Sequence, residues 1–180
     1  MKTIALFGGS FDPPHLGHFT IVEELLKLKF LDGVVVMPTF LNPFKNDSFA
    51  PAHLRLSWLK EIFFEFNDVI VSDYEVSQDI KVPTIQTVEY LLESYAKIYL
   101  VIGADNLAHL STWHDFKKLQ TKVTFIVATR NDTEIPESYI RLKIDVNTSS
   151  TSLRKSLLKE NLSNINADKI IQFYKEKYEH

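Results

Sequence analysis

The sequence predicts an α/β protein with a doubly wound parallel sheet, formed as a single domain over residues 1–180. Three observations support this fold. Short apolar runs recur along the chain, amphipathic segments of helical period separate them, and no internal repeat or linker interrupts the pattern. Strands that alternate with helices form right-handed crossovers and a parallel sheet. A chain of 180 residues is long enough for one domain with a sizeable core.

The predicted strands are short, rich in β-branched residues and nearly free of polar interruptions. Such runs are typical of strands that are buried on both faces of a sheet. They are Ile4–Phe7, Val34–Met37, Val69–Val71, Ile98–Ile102 and Val123–Ala128. In a doubly wound sheet the ligand binds beyond the carboxyl ends of the strands. We therefore expect the functional residues in the turns that follow these strands, including the longest predicted loop, Thr39–Pro51.

The predicted helices carry apolar residues every three or four positions, which places these residues on one face. They are His18–Phe30, Leu54–Phe66, Thr84–Tyr95, Thr151–Glu160 and Ala167–Tyr178. The last of them contains Lys169, Phe173 and Tyr174 and shows no recognisable chemistry. The histidines outside the first turn, His53, His109 and His114, are expected to be structural or solvated.

Composition excludes several classes of protein. The chain is 45% hydrophobic and 24% charged, which is ordinary for a globular protein and not for a disordered one. A net charge of −3 argues against stable binding to a nucleic acid. The absence of cysteine excludes disulfides, cysteine-ligated zinc and a thiolate nucleophile. No apolar run approaches the roughly 20 residues that cross a bilayer. We expect a cytoplasmic protein without a membrane partner.

The turn after the first predicted strand holds the most informative segment, Gly8-Gly9-Ser10-Phe11-Asp12-Pro13-Pro14-His15-Leu16-Gly17-His18. Paired glycines allow the backbone to approach a ligand closely, and a helix N-terminus binds phosphate. His15 and His18 are three residues apart, so both face one side of the first helical turn. A simple capped turn would explain the same pattern. A metal site would need a third ligand better than Asp12, so we assign no metal to these side chains.

Five further segments carry candidate binding residues. A hydroxyl-rich run, Ser149, Ser150 and Thr151, precedes a helix that contains Arg154, and taken alone it predicts a capped surface helix. Gly103 ends a predicted strand, and Asp105 and Trp113 follow it. Outside any wider context, Asp105 would be a helix cap and Trp113 a core residue. Loop or helix-start positions hold Lys45, Thr84 and Arg130.

The first turn resembles the H-x-G-H signature of the nucleotidyltransferase superfamily, and its longer Phe-Asp-Pro-Pro form resembles bacterial nicotinate-nucleotide adenylyltransferases. The resemblance extends over residues 2–160. It implies a Rossmann-like fold with C-terminal helices. It also implies adenylyl transfer from ATP to nicotinate mononucleotide in NAD biosynthesis, which yields nicotinate adenine dinucleotide and pyrophosphate.

The resemblance also implies roles for individual residues. His15 and His18 would be catalytic. ATP would be bound by residues of three motifs, namely Gly8, Gly9, Ser10, Phe11, His15, His18, Gly103, Asp105, Ser149, Ser150, Thr151 and Arg154. The second nucleotide would contact Lys45, Thr84, Trp113 and Arg130, with its pyridine ring stacked on Trp113. Mg²⁺ would enter mainly through the ATP phosphates.

The chain departs from the family pattern at four positions. Thr148 replaces the isoleucine of I-S-S-T-x-x-R, and Asn131 replaces the proline that commonly follows the family arginine. Phe44 replaces the histidine of P-x-x-x-x-P-H-K, and Pro83 replaces a tyrosine. The resemblance implies that the segment with Pro83 holds the nicotinate nucleotide. Phe44 and Pro83 leave the choice between acid and amide open.

Three alternative functions remain beside the nicotinate enzyme. An adenylyltransferase of the same superfamily would act on nicotinamide mononucleotide or phosphopantetheine. A class I aminoacyl-tRNA synthetase uses a related signature, but this chain is short and has neither a basic excess nor a lysine-rich signature loop. A non-enzymatic sensor would bind ATP without turnover. The sequence leaves the oligomeric state open, because it shows no decisive exposed apolar stripe.

Overall fold

The computed structural model describes residues 2–44, 46–129, 134–146, 148–163 and 165–178. Its centre is a six-stranded sheet in which every neighbouring pair is parallel. The strands are β1 (Thr3–Gly9), β2 (Gly33–Pro38), β3 (Val69–Val71), β4 (Lys97–Gly103), β5 (Val123–Thr129) and β6 (Ile140–Lys143). Their order is β3-β2-β1-β4-β5-β6, the doubly wound order, so the predicted fold class is confirmed.

Helices cover both faces of the sheet. They are α1 (Leu16–Leu26), α2 (Ala52–Ile62), α3 (Tyr74–Ser77), α4 (Thr84–Leu92), α5 (Phe116–Lys122), α6 (Ser150–Ser156) and α7 (Ala167–Tyr178). Two 3₁₀ segments, Ala104–Thr112 and Lys159–Asn161, complete the described helical structure. Within the described ranges, no helix combines the length and the apolar character that a membrane span needs.

The structure differs from the sequence prediction mainly at short elements and at helix ends. Strand β6 was not predicted, because Ile140–Lys143 is a short edge strand with only one fully buried residue, Leu142. Helices α3 and α5 were also missed, since segments of four and seven residues are too short to show a helical period. Helix α1 ends at Leu26, well before Phe30, which is exposed.

Two apolar layers pack against opposite faces of the central strand β1. Ala5 and Phe7 belong to the layer under α1 and α2, and Ile4 and Leu6 belong to the layer under α4 and α5. Successive side chains of a strand point to opposite faces, so a central strand must be apolar throughout. A smaller third cluster joins α7 to α2 through contacts such as that of Tyr174 with Trp58.

The order of the strands creates a crevice beside β1. From β1 the chain winds in one direction to β2 and β3, and then in the other direction to β4, β5 and β6. The connections that follow β1 and β4 therefore run over opposite faces of the sheet. The crevice between these two strands is where ligands bind in such sheets. Gly9 ends β1 and Gly103 ends β4 at this edge of the sheet.

Candidate functional site

The turn from β1 into α1, which we call the histidine turn (Gly8–His18), has an unusual backbone. Phe11 lies in the left-handed region with a φ of 47°, and the Asp12–Pro13 peptide is cis. A non-glycine residue in that region costs roughly 1–3 kcal/mol, which the surrounding structure must offset. The Phe11 ring is buried, with its edge against Phe7 and against the imidazole of His18, whose centroid is 4.8 Å away.

The two histidines of this turn are in direct contact. Their rings are stacked, with centroids 3.6 Å apart and an interplanar angle of 24°. His15 is the N-cap of α1, and its backbone N–H donates to Nδ1 of His18 at 3.1 Å. A neutral imidazole that accepts at Nδ1 carries its proton on Nε2. The backbone therefore fixes the tautomer of His18 and leaves Nε2 as its donor atom.

Gly17 leaves the space that the His15 ring occupies. A Cβ atom at position 17 would lie 3.0 Å from Cε1 and 3.1 Å from Nδ1 of His15, and 3.4 Å from Cγ2 of Thr148. The first two distances are shorter than normal carbon contacts. A side chain at position 17 would therefore require the His15 ring to shift by a few tenths of an ångström.

Asp12 connects the histidine turn to two distant segments. Its carboxylate, which is 3% exposed, accepts hydrogen bonds from the backbone N–H groups of Phe49 (2.7 Å) and Ala50 (3.0 Å) and from the Tyr174 hydroxyl. Burial raises the pKa of the Tyr174 hydroxyl, and the Asp12 carboxylate raises that pKa further. Because both Asp12 oxygens are engaged, this carboxylate holds structure together and is not placed to bind a metal ion.

Arg55 of α2 connects the histidine turn to the loop that follows β2. Its side chain is 1% exposed and donates to the carbonyls of Ser10 (2.5 Å), Phe40 (2.8 Å) and Ala50 (3.0 Å). Burial lowers the pKa of the guanidinium, and the nearby Asp12 carboxylate opposes that change. Arg55 was not predicted as a site residue. A signal existed, because Arg55 shares a helical face with Leu59 and Ile62 and thus interrupts an apolar stripe.

The second motif reaches the histidine turn through α6. Ser149 caps this helix by accepting from the N–H of Ser152 at 3.1 Å. The Ser150 hydroxyl donates to the carbonyl of Pro13 at 3.0 Å, and Arg154 donates to the carbonyl of Asp12. The predicted hydroxyl residues and the predicted histidines therefore lie next to each other.

The guanidinium of Arg154 has two further contacts at this junction. It lies 4.3 Å from the centroid of the Phe49 ring and donates to the Thr151 hydroxyl at 3.3 Å. The side chain is thus held between α6 and the loop that follows β2. Thr148, at the position of the family isoleucine, is buried beside Gly17.

A cavity of about 240 Å³ opens beside the histidine turn, at the carboxyl ends of β1 and β4. It contains five of the predicted site residues, Gly8, Gly9, Thr84, Gly103 and Trp113. Other polar residues line it that were not assigned to the site from sequence, namely Thr39, Asn42, Glu75, Thr87, Asn106 and His114. The exposed ring of Phe44 also contributes to its lining.

Glu75 is the acidic side chain of this cavity. It is 5% exposed, and Oε1 accepts a hydrogen bond from the Thr87 hydroxyl at 2.6 Å. Burial raises the pKa of Glu75 to about 7, and the bond from Thr87 opposes part of that rise. Glu75 was not predicted, because the four-residue helix α3 that carries it has no recognisable period.

Three predicted site residues are not brought into this arrangement by the described structure. Asp105 is exposed on the 3₁₀ segment, and the neighbouring Asn106 lines the cavity instead. Lys45 and Arg130 lie outside the described residues. In the ranges that the structure covers, no group of three or more histidine, aspartate or glutamate side chains could hold a metal ion.

The chain is similar to known proteins over nearly its whole length. The model of the cytidylyltransferase-like family matches residues 6–156. A protein of Sulfurimonas denitrificans, named a probable nicotinate-nucleotide adenylyltransferase, is 56% identical over 178 residues, which are 99% of this chain and 98% of that protein. A protein of the same name from Nitratiruptor is 45% identical over 174 residues, 96% of this chain and 98% of its own.

Solved structures show the same fold. The nicotinic acid mononucleotide adenylyltransferase of Plasmodium falciparum, in complex with NaAD, superposes with a TM-score of 0.78 at 23% identity, covering 97% of this chain and 98% of that one. Its complex with APC gives a TM-score of 0.71 at 25% identity, covering 99% and 96%. Since the family model and the relatives span nearly the whole sequence, the chain belongs to the nicotinate-nucleotide adenylyltransferases of the cytidylyltransferase-like family.

Proposed function

We propose that this protein transfers the adenylyl group of ATP to nicotinate mononucleotide. A phosphate oxygen of the mononucleotide attacks the α-phosphorus of ATP and forms a new P–O bond. The bond from the α-phosphorus to the oxygen that bridges to the β-phosphate breaks, and pyrophosphate leaves. The products are nicotinate adenine dinucleotide and pyrophosphate. The attacking group is already an anion, so the reaction needs no nucleophilic side chain.

One juxtaposition carries this proposal. The stacked His15 and His18 lie on the turn to which α6 attaches through Ser150 and Arg154. Gly8 and Gly9 at the start of the same turn line an open cavity that has Trp113 in its wall. This arrangement offers donors for a polyphosphate next to an aromatic site for a base. Phosphoryl-group transfer depends mainly on positioning and on charge stabilisation, which fixed donors supply.

The phosphate contacts follow from the donor atoms. His18 would donate from Nε2 to an oxygen of the α-phosphate, and His15 would support the same group. Gly8, Gly9, Ser10 and Phe11 would allow the backbone to approach the nucleotide. Ser149, Ser150, Thr151 and Arg154 would bind the β- and γ-phosphates, and Gly103 with Asp105 would contact the adenosine.

The second nucleotide would occupy the cavity. Trp113 would stack on the cationic pyridine ring, since an aromatic face attracts a cation. Thr84 begins α4 at the cavity wall and would contact the nucleotide through its hydroxyl and backbone N–H. Lys45 and Arg130 are proposed as further cations for the mononucleotide phosphate or for the pyrophosphate.

ATP would react as its Mg²⁺ complex. Mg²⁺ prefers octahedral oxygen coordination and commonly binds substrate phosphates and water with few protein ligands. That preference fits a site in which the carboxylate of the histidine turn, Asp12, is already bonded to Phe49, Ala50 and Tyr174. We place the reaction in the cytoplasm, with nucleotides as the partners.

A panel of acceptors tests the proposal. ATP and Mg²⁺ are incubated in turn with nicotinate mononucleotide, nicotinamide mononucleotide and phosphopantetheine, and pyrophosphate release is measured. We expect the highest kcat/KM with nicotinate mononucleotide. Preferred use of another acceptor would replace the substrate assignment. Tight ATP binding without turnover of any acceptor would overturn the enzymatic function and favour a sensor.

A further inference from the structure

The proposed reaction leaves one buried acid of the cavity without a role. We propose that Glu75 is a specificity-determining residue, whose carboxyl group, held by Thr87, contacts the acidic substituent of a pyridine ring stacked on Trp113. This inference rests on the proposed function, because it concerns how the same cavity distinguishes nicotinate from nicotinamide. The two differ only in a carboxylate against a carboxamide.

Glu75 is a buried acid in the wall of the cavity proposed for the pyridine ring. Glu75 lines the same cavity as Trp113 and Thr84, and its side chain is almost fully withdrawn from solvent. Thr87 holds Oε1 at 2.6 Å, which restricts the orientation of the carboxyl group. When the acid is neutral and Oε1 accepts from Thr87, the proton lies on Oε2. A buried carboxyl of this kind is a hydrogen-bond donor.

The two protonation states of Glu75 favour different ligands. The neutral acid donates a charge-assisted hydrogen bond to a carboxylate. The ionised form repels a carboxylate and accepts a hydrogen bond from the N–H of a carboxamide. Because burial raises the pKa of Glu75 to about 7, the preferred ligand changes within the neutral range of pH. Selectivity for the acid should therefore be greatest below pH 7 and should fall above it.

Among the described residues, the titratable groups near Glu75 do not account for the expected change of selectivity with pH. Helix α3 packs on β2, which has no titratable side chain, and on α2, whose buried Arg55 donates to backbone carbonyls. On its own helix Tyr74 stacks on Tyr90 of α4. The other titratable side chain in the described cavity wall is the largely exposed His114. The remaining titratable groups on these elements are Asp73, His53, Lys60, Glu61 and Glu89, of which Glu61 is paired with Lys169 and Glu89 with Lys118 and Lys122.

The test is the ratio of kcat/KM for nicotinate mononucleotide to that for nicotinamide mononucleotide, measured from about pH 5.5 to about 8.5. Both substrates carry the same phosphate and meet the same histidines. An effect of pH on these groups changes both values of kcat/KM alike and cancels in the ratio. We expect the ratio of the natural protein to fall roughly tenfold as Glu75 ionises, the size of one charge-assisted hydrogen bond. In Glu75→Gln the ratio should be independent of pH.

Two further variants separate Glu75 from its surroundings. His114→Gln should retain the fall in the ratio, because only Glu75 is assigned to it. Thr87→Val removes a bond that lowers the pKa of Glu75, so the midpoint of the fall should move to higher pH. This shift provides a test even where Glu75→Gln does not fold.

The outcomes distinguish the two proposals. A ratio that does not change with pH in the natural protein overturns the role of Glu75, and so does a fall that persists in Glu75→Gln or disappears in His114→Gln. A midpoint that does not move in Thr87→Val also overturns the role of Glu75. If neither mononucleotide is adenylylated at any pH, the proposed function itself fails.

Discussion

The hydroxyl of Tyr174 in α7 donates a hydrogen bond to the carboxylate of Asp12, in the turn that carries His15 and His18. No catalytic or binding residue was predicted in this helix. The structure gives the helix a supporting part, because α7 fixes one of the side chains that shape the histidine turn.

Tyr174→Phe should therefore weaken both stability and activity. The variant keeps the ring and leaves Asp12 with its two backbone donors, so we expect a loss of about 1–2 kcal/mol in the free energy of unfolding. We expect a fall of several fold in kcat, since the turn loses one restraint. Urea denaturation and steady-state kinetics measure the two effects. Tyr178→Phe, at an exposed position of the same helix, is the matched control and should change neither.

His18→Ala should remove most of the turnover while preserving the fold. Loss of one preorganised donor typically lowers kcat by about 10²–10³-fold. The affinity for ATP, measured by calorimetry, should change by only a few fold, since the other phosphate contacts remain. His109→Ala, on the exposed side of the 3₁₀ segment, should retain full activity. Near-normal turnover of His18→Ala, with an unchanged melting temperature, would refute the catalytic assignment.

Gly17→Ala should lower activity although it favours the helical conformation of α1. Alanine is favoured over glycine in a helix by up to about 1 kcal/mol, so the propensity of α1 improves. The added methyl group, however, requires the His15 ring to move, because the two would be 3.0 Å apart. We expect a kcat at least about tenfold lower, as the displaced ring disturbs the stacked pair. Equal kcat in the variant and the natural protein would mean that ring stacking is unimportant for turnover.

Glu75 should make stability depend on pH. Its pKa is raised from 4.5 to about 7, so between these values the folded protein binds the proton that the unfolded chain releases. Stability from this group is therefore fully present below about pH 4.5 and is lost as the pH rises through about 7, by about 3 kcal/mol in total.

Comparison with Glu75→Gln measures this contribution. The difference in free energy of unfolding between the natural protein and Glu75→Gln should shrink by that amount over the same pH interval. Glu65→Gln, at an exposed position, provides the control. A difference that stays constant with pH would mean that Glu75 is ionised in the folded state throughout.

The fold and the two segments proposed to bind phosphate were recognisable in the sequence, because their signals are local. The buried strands are continuous apolar runs, and the Gly8–His18 segment carries its spacing and its residue types in one stretch. The same holds for Ser149 to Arg154. That the two segments meet through Ser150 and Pro13 depends on the parallel sheet, which the alternation of strands and helices also predicts.

The supporting residues were not predictable, because their partners are distant in sequence. Asp12 acts with Phe49 and Tyr174, and Arg55 acts with Ser10 and Phe40. No spacing rule connects such positions. An arginine among apolar helix residues is a sign of buried hydrogen bonding, but it does not identify the acceptors. Glu75 lies on a helix of a single turn, which is too short for any pattern.

The two apolar layers of the sheet support different parts of the proposed site. His18 rests on Phe7 and Phe11 in one layer, whereas the wall around Trp113 belongs to the layer that contains Leu6 and Ile102. These contacts lie mainly on opposite faces of the sheet, and Phe7 and Val101 of the first layer also line the cavity. Under the proposed function, substitutions around the acceptor base that keep Phe7 would leave the ring contacts of His18 in place, which gives this architecture a route to new acceptors.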